Sequence, residues 1–284
     1  MRTYSVVHRK SIKFYGWIGL LILVVSEFLL IKGNSLIKVW FTPIMWTGYI
    51  LVIDALIYKF RATSWIMNRP GQFLFMLLYS VGCWLVFEAY NLHLQNWRYV
   101  GLLENLWLRY LGYVWAFATI FPGVLLTSEL IDMSGMFERL KVRRFKFRKA
   151  TLYVIILIGA FSLLIPLLLA KEIAVYLFGP VWIGFVFVLD PINYFIGAKS
   201  LFRELEEGRL SKLLSLFLAG AICGLLWEFW NYWATAKWVY SLPFLTEPKI
   251  FEMPLIGFLG FLPFAVEIYV MWEFAVRILR LKND

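Results

Sequence analysis

Charge is scarce in this chain. Asp, Glu, Lys and Arg make up only 16% of its 284 residues, 62% are hydrophobic, and the mean hydropathy is +0.74. A soluble domain carries about 25% charged and roughly 45–50% apolar residues, so a water-soluble globular fold is excluded. Cysteine and histidine are scarcer still, at two each. That excludes a disulfide framework, a Cys-rich cluster and a multi-His metal site. His8 and His93 are too few for a histidine-rich di-iron centre, and they argue against bis-His haem ligation. The apolar runs contain no mid-span lysine on which a retinal Schiff base could form. There is no Asp-rich magnesium motif, no HExxH and no phosphate-binding Walker loop. Neither a metal nor a cofactor is expected.

Long apolar runs are what the chain has instead. A hydrocarbon layer of about 30 Å is crossed by around 20 mainly apolar residues in a helix. Eight such stretches are legible, near 14–31, 41–59, 72–91, 108–128, 151–170, 175–197, 211–233 and 254–276. The first follows Arg9, Lys10 and Lys13 as a signal peptide would. It contains Glu27, is too long for a signal core and has no small-x-small cleavage site, so it reads as a retained helix. Basic residues gather in every second connection: before the first run, at Lys59, Arg61 and Arg69, throughout 139–149, at Lys199, Arg203, Arg209 and Lys212, and in the C-terminal tail. The positive-inside rule places those connections and both termini in the cytoplasm. The expected fold is all-α: a multi-pass protein of the cell membrane with about eight transmembrane helices. The basic run 139–149 reads first as a topology determinant, with some contact to anionic lipid; a nucleic-acid partner is not expected.

The sequence also repeats itself. At an offset of 136, Trp46, Gly48, Asp54, Tyr58, Ala62 and Ser64 match Trp182, Gly184, Asp190, Tyr194, Ala198 and Ser200. At 140, Cys83, Leu85, Glu88 and Asn91 match Cys223, Leu225, Glu228 and Asn231, and at 141 Trp97, Tyr99, Phe117 and Pro122 match Trp238, Tyr240, Phe258 and Pro263. The offset grows only where loops are expected. The chain thus divides into a first four-helix repeat over 1–137, a basic cytoplasmic linker over 138–149 and a second repeat over 150–284. An even number of spans per copy gives both the same orientation, related by an axis along the membrane normal. The match is clear for helices 2–4 and 6–8; helices 1 and 5 show none.

Ionisable groups within a bilayer cost several kcal/mol and usually face the bundle interior. Glu88 and Asn91, and Glu228 and Asn231, are three residues apart and share a helix face. Each pair precedes a Trp-x-Tyr, Trp97 with Tyr99 and Trp238 with Tyr240. All are expected at the outer leaflet, around one aromatic-lined chamber or as helix-packing groups with an interfacial belt. Asp54 and Asp190 form a polar inner-leaflet pair that suits capping or hydrogen bonding between repeats. Pro191 suggests a bend. The second copy adds Trp227, Trp230, Lys237, Glu252 and Glu267. Glu252 would approach Lys237 if its loop folds back. Glu267 lies some 20 Å into its helix, with no cation near it in sequence. A neutral acid there suits either general-acid catalysis or inert hydrogen bonding. Gly220, Gly224, Gly257 and Gly260 suggest close helix contacts, and Cys83 and Cys223 small packing residues.

In order and type, Asp190, Trp238, Tyr240, Gly257, Gly260, Pro263 and Glu267 resemble the lycopene-cyclase domain of small membrane carotenoid cyclases, which also occurs in tandem. That family carries Pro-x-Glu-Glu where this chain has Pro263-Phe264-Ala265-Val266-Glu267. The resemblance implies an enzyme that protonates an alkene with a carboxylic acid and steadies the carbocation on aromatic faces. On that reading Glu228, Glu267, Asn231, Glu252, Glu88 and Asn91 are the catalytic candidates. Trp227, Trp230, Trp238, Tyr240, Trp97, Tyr99 and Lys237 would line a site for an isoprenoid, carotenoid or lipid. A proton- or cation-coupled transporter, with carboxylates at two depths, and a non-catalytic membrane scaffold are the alternatives.

Overall fold

The computed structural model describes residues 11–244 and 246–281. Their order is α1 Phe14–Ile31, α2 Ser35–Arg61, α3 Trp65–Asn68, α4 Pro70–Leu94, β1 Trp97–Val100, α5 Leu106–Ala118, α6 Ile120–Ser134, α7 Lys149–Leu168, α8 Lys171–Ala174, α9 Phe178–Ile196, α10 Leu201–Glu206, α11 Ser211–Trp233, β2 Lys237–Tyr240, β3 Lys249–Ile250, β4 Met253–Pro254, a 3₁₀ turn Leu255–Gly260 and α12 Phe261–Ile278. Among the described residues eight helical stretches are long and apolar enough to cross a membrane, with α5–α6 and the 3₁₀ turn–α12 each counting as one. The protein is therefore an all-α, multi-pass membrane protein. The largest departures from the sequence expectation are α2, which starts at Ser35 rather than near 41, and α6, which runs to Ser134 rather than ending near 128.

Local chemistry sets the ends. Asn34 accepts the Ile37 N–H (3.0 Å) at the start of α2, and Asn105 accepts that of Leu108 (3.1 Å) at the start of α5, each side chain satisfying a donor the first helical turn leaves open. The fourth span breaks at Thr119, whose hydroxyl turns back to the Ala116 carbonyl (2.7 Å). Pro122 then stands in the first turn of α6, where a missing N–H costs little. Outside the helices, β1 and β2 pair as one two-stranded sheet. β3 and β4 pair antiparallel, with Lys249 opposite Pro254 and Ile250 opposite Met253.

The described residues form two compact units. The first runs to Trp84 and adds Tyr99–Leu130 and Phe229–Lys237; the second holds Leu85–Arg98, Ile131–Glu228 and the chain from Trp238 onward. In the first unit α1 packs along α2, and Gly19 and Gly48 meet at the crossing. A Cβ at Gly19 would stand 2.6 Å from the Gly48 carbonyl oxygen, and one at Gly48 would stand 3.0 Å from that of Gly19 and from Leu23. In the second unit α7 packs along α9 through Gly159 and Gly184. A Cβ at Gly159 would stand 2.8 Å from the Gly184 carbonyl oxygen, and one at Gly184 would stand 2.8 Å from Leu163. Small residues let helix backbones approach where lipid supplies no hydrophobic drive. The spacing Gly19/Leu23 recurs as Gly159/Leu163, at the offset of 140 already seen in helices 3 and 7. The outward faces of α1 and α7 are apolar and exposed, Trp17, Leu21, Val24 and Phe28 on one and Val154, Leu157, Phe161 and Leu164 on the other. Apolar faces of that extent belong in lipid.

Candidate functional site

In β1 and β2, residues i and i+2 lie on one side of the strand, so each Trp-x-Tyr presents both rings to one face. In the second unit that face meets the C-terminal end of α11. Glu228 is fully buried, and its Oε1 accepts the Tyr240 hydroxyl at 2.8 Å and the Trp238 indole N–H at 3.4 Å. The same indole N–H lies 2.9 Å from the Tyr240 oxygen, closing a three-membered polar cluster. Glu252 is close enough to act on Glu228 electrostatically. In the same unit the Trp97 indole N–H reaches Glu88 Oε1 at 3.2 Å. Asn91 ties down the turn after α4: its Oδ1 accepts the N–H of Asn96 (2.9 Å) and Trp97 (3.2 Å), and its Nδ2 donates to the Trp97 carbonyl (2.8 Å).

Glu267 stands apart. It is fully buried on α12, and among the described residues neither carboxyl oxygen has a hydrogen-bond partner. One turn earlier on the same helix, Phe264 contacts the rings of Trp182 (5.5 Å), Trp227 (5.8 Å) and Phe87 (6.5 Å). Trp227 also stacks near Phe261, at 6.1 Å and 22°. Glu228 and Glu267 do not share one spot. Gly220 abuts Phe261 and Ala265, and Gly224 abuts Phe261. That antiparallel register sets the two carboxyls about 15 Å apart in depth at 1.5 Å per residue.

The remaining candidates are placed as follows. Trp230 packs edge-on against Trp46 (5.1 Å) and Tyr49 (6.1 Å) in the first unit. Tyr99 lies against Tyr113 at 5.2 Å. Asn231 is fully buried, its carbonyl accepting the Ala234 N–H. Lys237 lies over the Tyr232 ring and donates to its carbonyl. Asp54 accepts the N–H groups of Trp65 (2.9 Å) and Ile66 (3.2 Å) together with the Tyr15 hydroxyl (2.7 Å). Asp190 accepts those of Leu201 and Phe202, both at 2.9 Å. Each aspartate thus caps the short helix that follows its span, α3 or α10.

Several polar groups were not singled out as site candidates from sequence. Glu27 accepts the Trp230 indole N–H. Glu129 receives Arg61 (2.5 Å) and the Trp65 indole N–H (2.7 Å), Lys212 pairs with Asp132 (2.5 Å), and Lys199 approaches Glu273 (3.4 Å). Their only advance signal was position, a charge near the end of an apolar run. No family model matches this chain, and no curated protein or solved structure shows significant similarity to it.

Proposed function

We propose that this protein is a membrane enzyme acting on a hydrophobic substrate dissolved in the bilayer, by acid–base chemistry with Glu267 as the acid. The observation that carries this reading is the Glu267 carboxyl, fully buried with no hydrogen-bond partner among the described residues, one turn from an aromatic group of Phe264, Trp182, Trp227 and Phe87. An isolated carboxylate in such surroundings would cost far more than a neutral acid. A carboxyl retained without structural partners therefore points to a use. The step we assign is transfer of the Glu267 proton to an alkene carbon, giving a carboxylate and a carbocation. Tryptophan and phenylalanine faces steady the cation by cation–π attraction. Loss of a proton from the cation to the carboxylate closes the cycle. The substrate class is polyisoprenoid, carotenoid or lipid, in line with the lycopene-cyclase resemblance. Glu228, held by Tyr240 and Trp238, is the second acid–base group, at the outer level.

We also infer that the chain is an internal duplication in a cell membrane, with both termini on the cytoplasmic side. Three matched arrangements support the duplication: Gly19–Gly48 beside Gly159–Gly184, the Asp54 cap beside the Asp190 cap, and Trp97–Glu88 beside Trp238–Glu228. Buried carboxyls at several depths, Glu228, Glu267 and Glu273, favour a second reading as a proton or cation path.

The test compares lipids copurified with wild type, Glu228→Gln and Glu267→Gln from a host that makes isoprenoids and from one that does not. The enzyme reading predicts a product or trapped isoprenoid with wild type alone, from the first host alone. Identical lipid profiles throughout contradict it, and proton flux in liposomes lost with the same substitutions would establish the path instead.

A further inference from the structure

The segment 139–149 carries seven cations in eleven residues and no acid: Arg139, Lys141, Arg143, Arg144, Lys146, Arg148 and Lys149. All seven are exposed, and none has a side-chain ion pair or hydrogen bond among the described residues. Four other basic residues beside the helix ends are neutralised: Arg61 by Glu129, Lys199 by Glu273, Lys212 by Asp132 and Arg209 by Glu204 and Glu207. Glu138 directly precedes the segment, and the acids of the 204–207 turn that the segment packs on are committed elsewhere. Glu204 and Glu207 hold Arg209, which keeps that guanidinium protonated more firmly than usual, and Glu206 accepts the Tyr194 hydroxyl and the Phe147 N–H.

The segment is nonetheless fixed to its unit. Val142 N–H bonds the Gly208 carbonyl (3.1 Å), Lys141 bridges Arg209 antiparallel, and Phe147 packs edge-on against Phe202 at 4.9 Å. Gly208 sits at φ +76°, and a Cβ there would stand 2.6 Å from the Val142 carbonyl oxygen, so the strap lies flush on the 207–209 turn. Between the cations, Leu140, Val142 and Phe145 stay exposed.

We propose that 139–149 is a docking strap for anionic phospholipid headgroups of the leaflet it lies on. Topology needs only charge, and a loose loop would supply it. This strap is held in place, its cations are left unneutralised, and apolar side chains stand among them. That combination suits a surface whose cations meet phosphates while its apolar groups enter the acyl boundary.

The experiment is hydrogen–deuterium exchange of the full-length protein in nanodiscs of phosphatidylcholine alone or mixed with phosphatidylglycerol. Exchange over 139–149 should slow about tenfold in the anionic discs and lose most of that protection at high salt. Arg143→Gln/Arg144→Gln, which keeps five cations to hold the topology, should reduce the protection in anionic discs at least threefold. Equal exchange in both discs would overturn the proposal, as would equal protection from inorganic phosphate, or protection by added RNA in neutral discs without any effect of phosphatidylglycerol. The wild-type comparison decides even if the variant fails to insert.

Discussion

Asp54 and Asp190 do the same local work with different partners, which makes them a calibrated pair. Each accepts two backbone N–H groups at the start of a short helix, and Asp54 also takes the Tyr15 hydroxyl. Removing a buried acceptor leaves its donors unsatisfied, at about 1–3 kcal/mol for each group. Asp54→Ala should therefore lower the thermal midpoint in detergent more than Asp190→Ala, and in a Tyr15→Phe background the gap should narrow. Ala62 caps α2 in the left-handed region, at φ 62°. Ala62→Gly removes that strain and should raise stability by roughly 1 kcal/mol in the same melts. At this scale the sequence showed the paired aspartates and the two Trp-x-Tyr motifs as unusual. It could not show that Tyr15, 39 residues away, would close on Asp54. Nor could it show that Trp230 and Trp227, one turn apart, would pack in different aromatic groups. Those outcomes depend on which helix lies alongside, and periodicity carries no record of that.

Helix pairs are set by backbone approach. A Cβ at Gly19 or Gly159 would collide with a carbonyl oxygen of the neighbouring helix, at 2.6 and 2.8 Å, and one at Gly220 would stand 2.2 Å from the Phe261 oxygen. Backbone yields less readily than a flexible side chain, so alanine at each should cost about 1–3 kcal/mol, with Gly220→Ala the worst. Gly82 on α4 has nothing within 4 Å of such a Cβ. Gly82→Ala should stabilise by about 0.5–1 kcal/mol through helix propensity alone. If all four behave alike in detergent melts, the notches are not what holds these pairs. Residue matching missed helices 1 and 5 because little is kept there: at the offset of 140, Gly19 and Leu23 match Gly159 and Leu163, and the other identities, Ile18 with Ile158 and Leu29 with Leu169, are common apolar residues. Much of each helix is an exposed apolar face, where any large apolar side chain serves.

For the whole molecule, eight apolar runs were legible almost to their ends, because spanning a bilayer demands length and hydropathy before anything else. The interior was less legible. Buried carboxyls announce themselves in sequence as anomalies, yet Glu228 finds Tyr240 and Trp238 on β2 while Glu267 on α12 finds no partner among the described residues, a contrast that the tertiary fold creates. The central claim is that Glu267 delivers a proton to a hydrocarbon. It is tested most directly by reconstituting purified protein with a lipid extract from isoprenoid-producing cells in deuterium oxide and analysing the lipids by mass spectrometry. We expect wild type to place one non-exchangeable deuterium on carbon in a single isoprenoid species, and Glu267→Gln, folded to the same thermal midpoint or above, to place none. Incorporation that is absent from wild type, or unchanged in Glu267→Gln, would contradict the account.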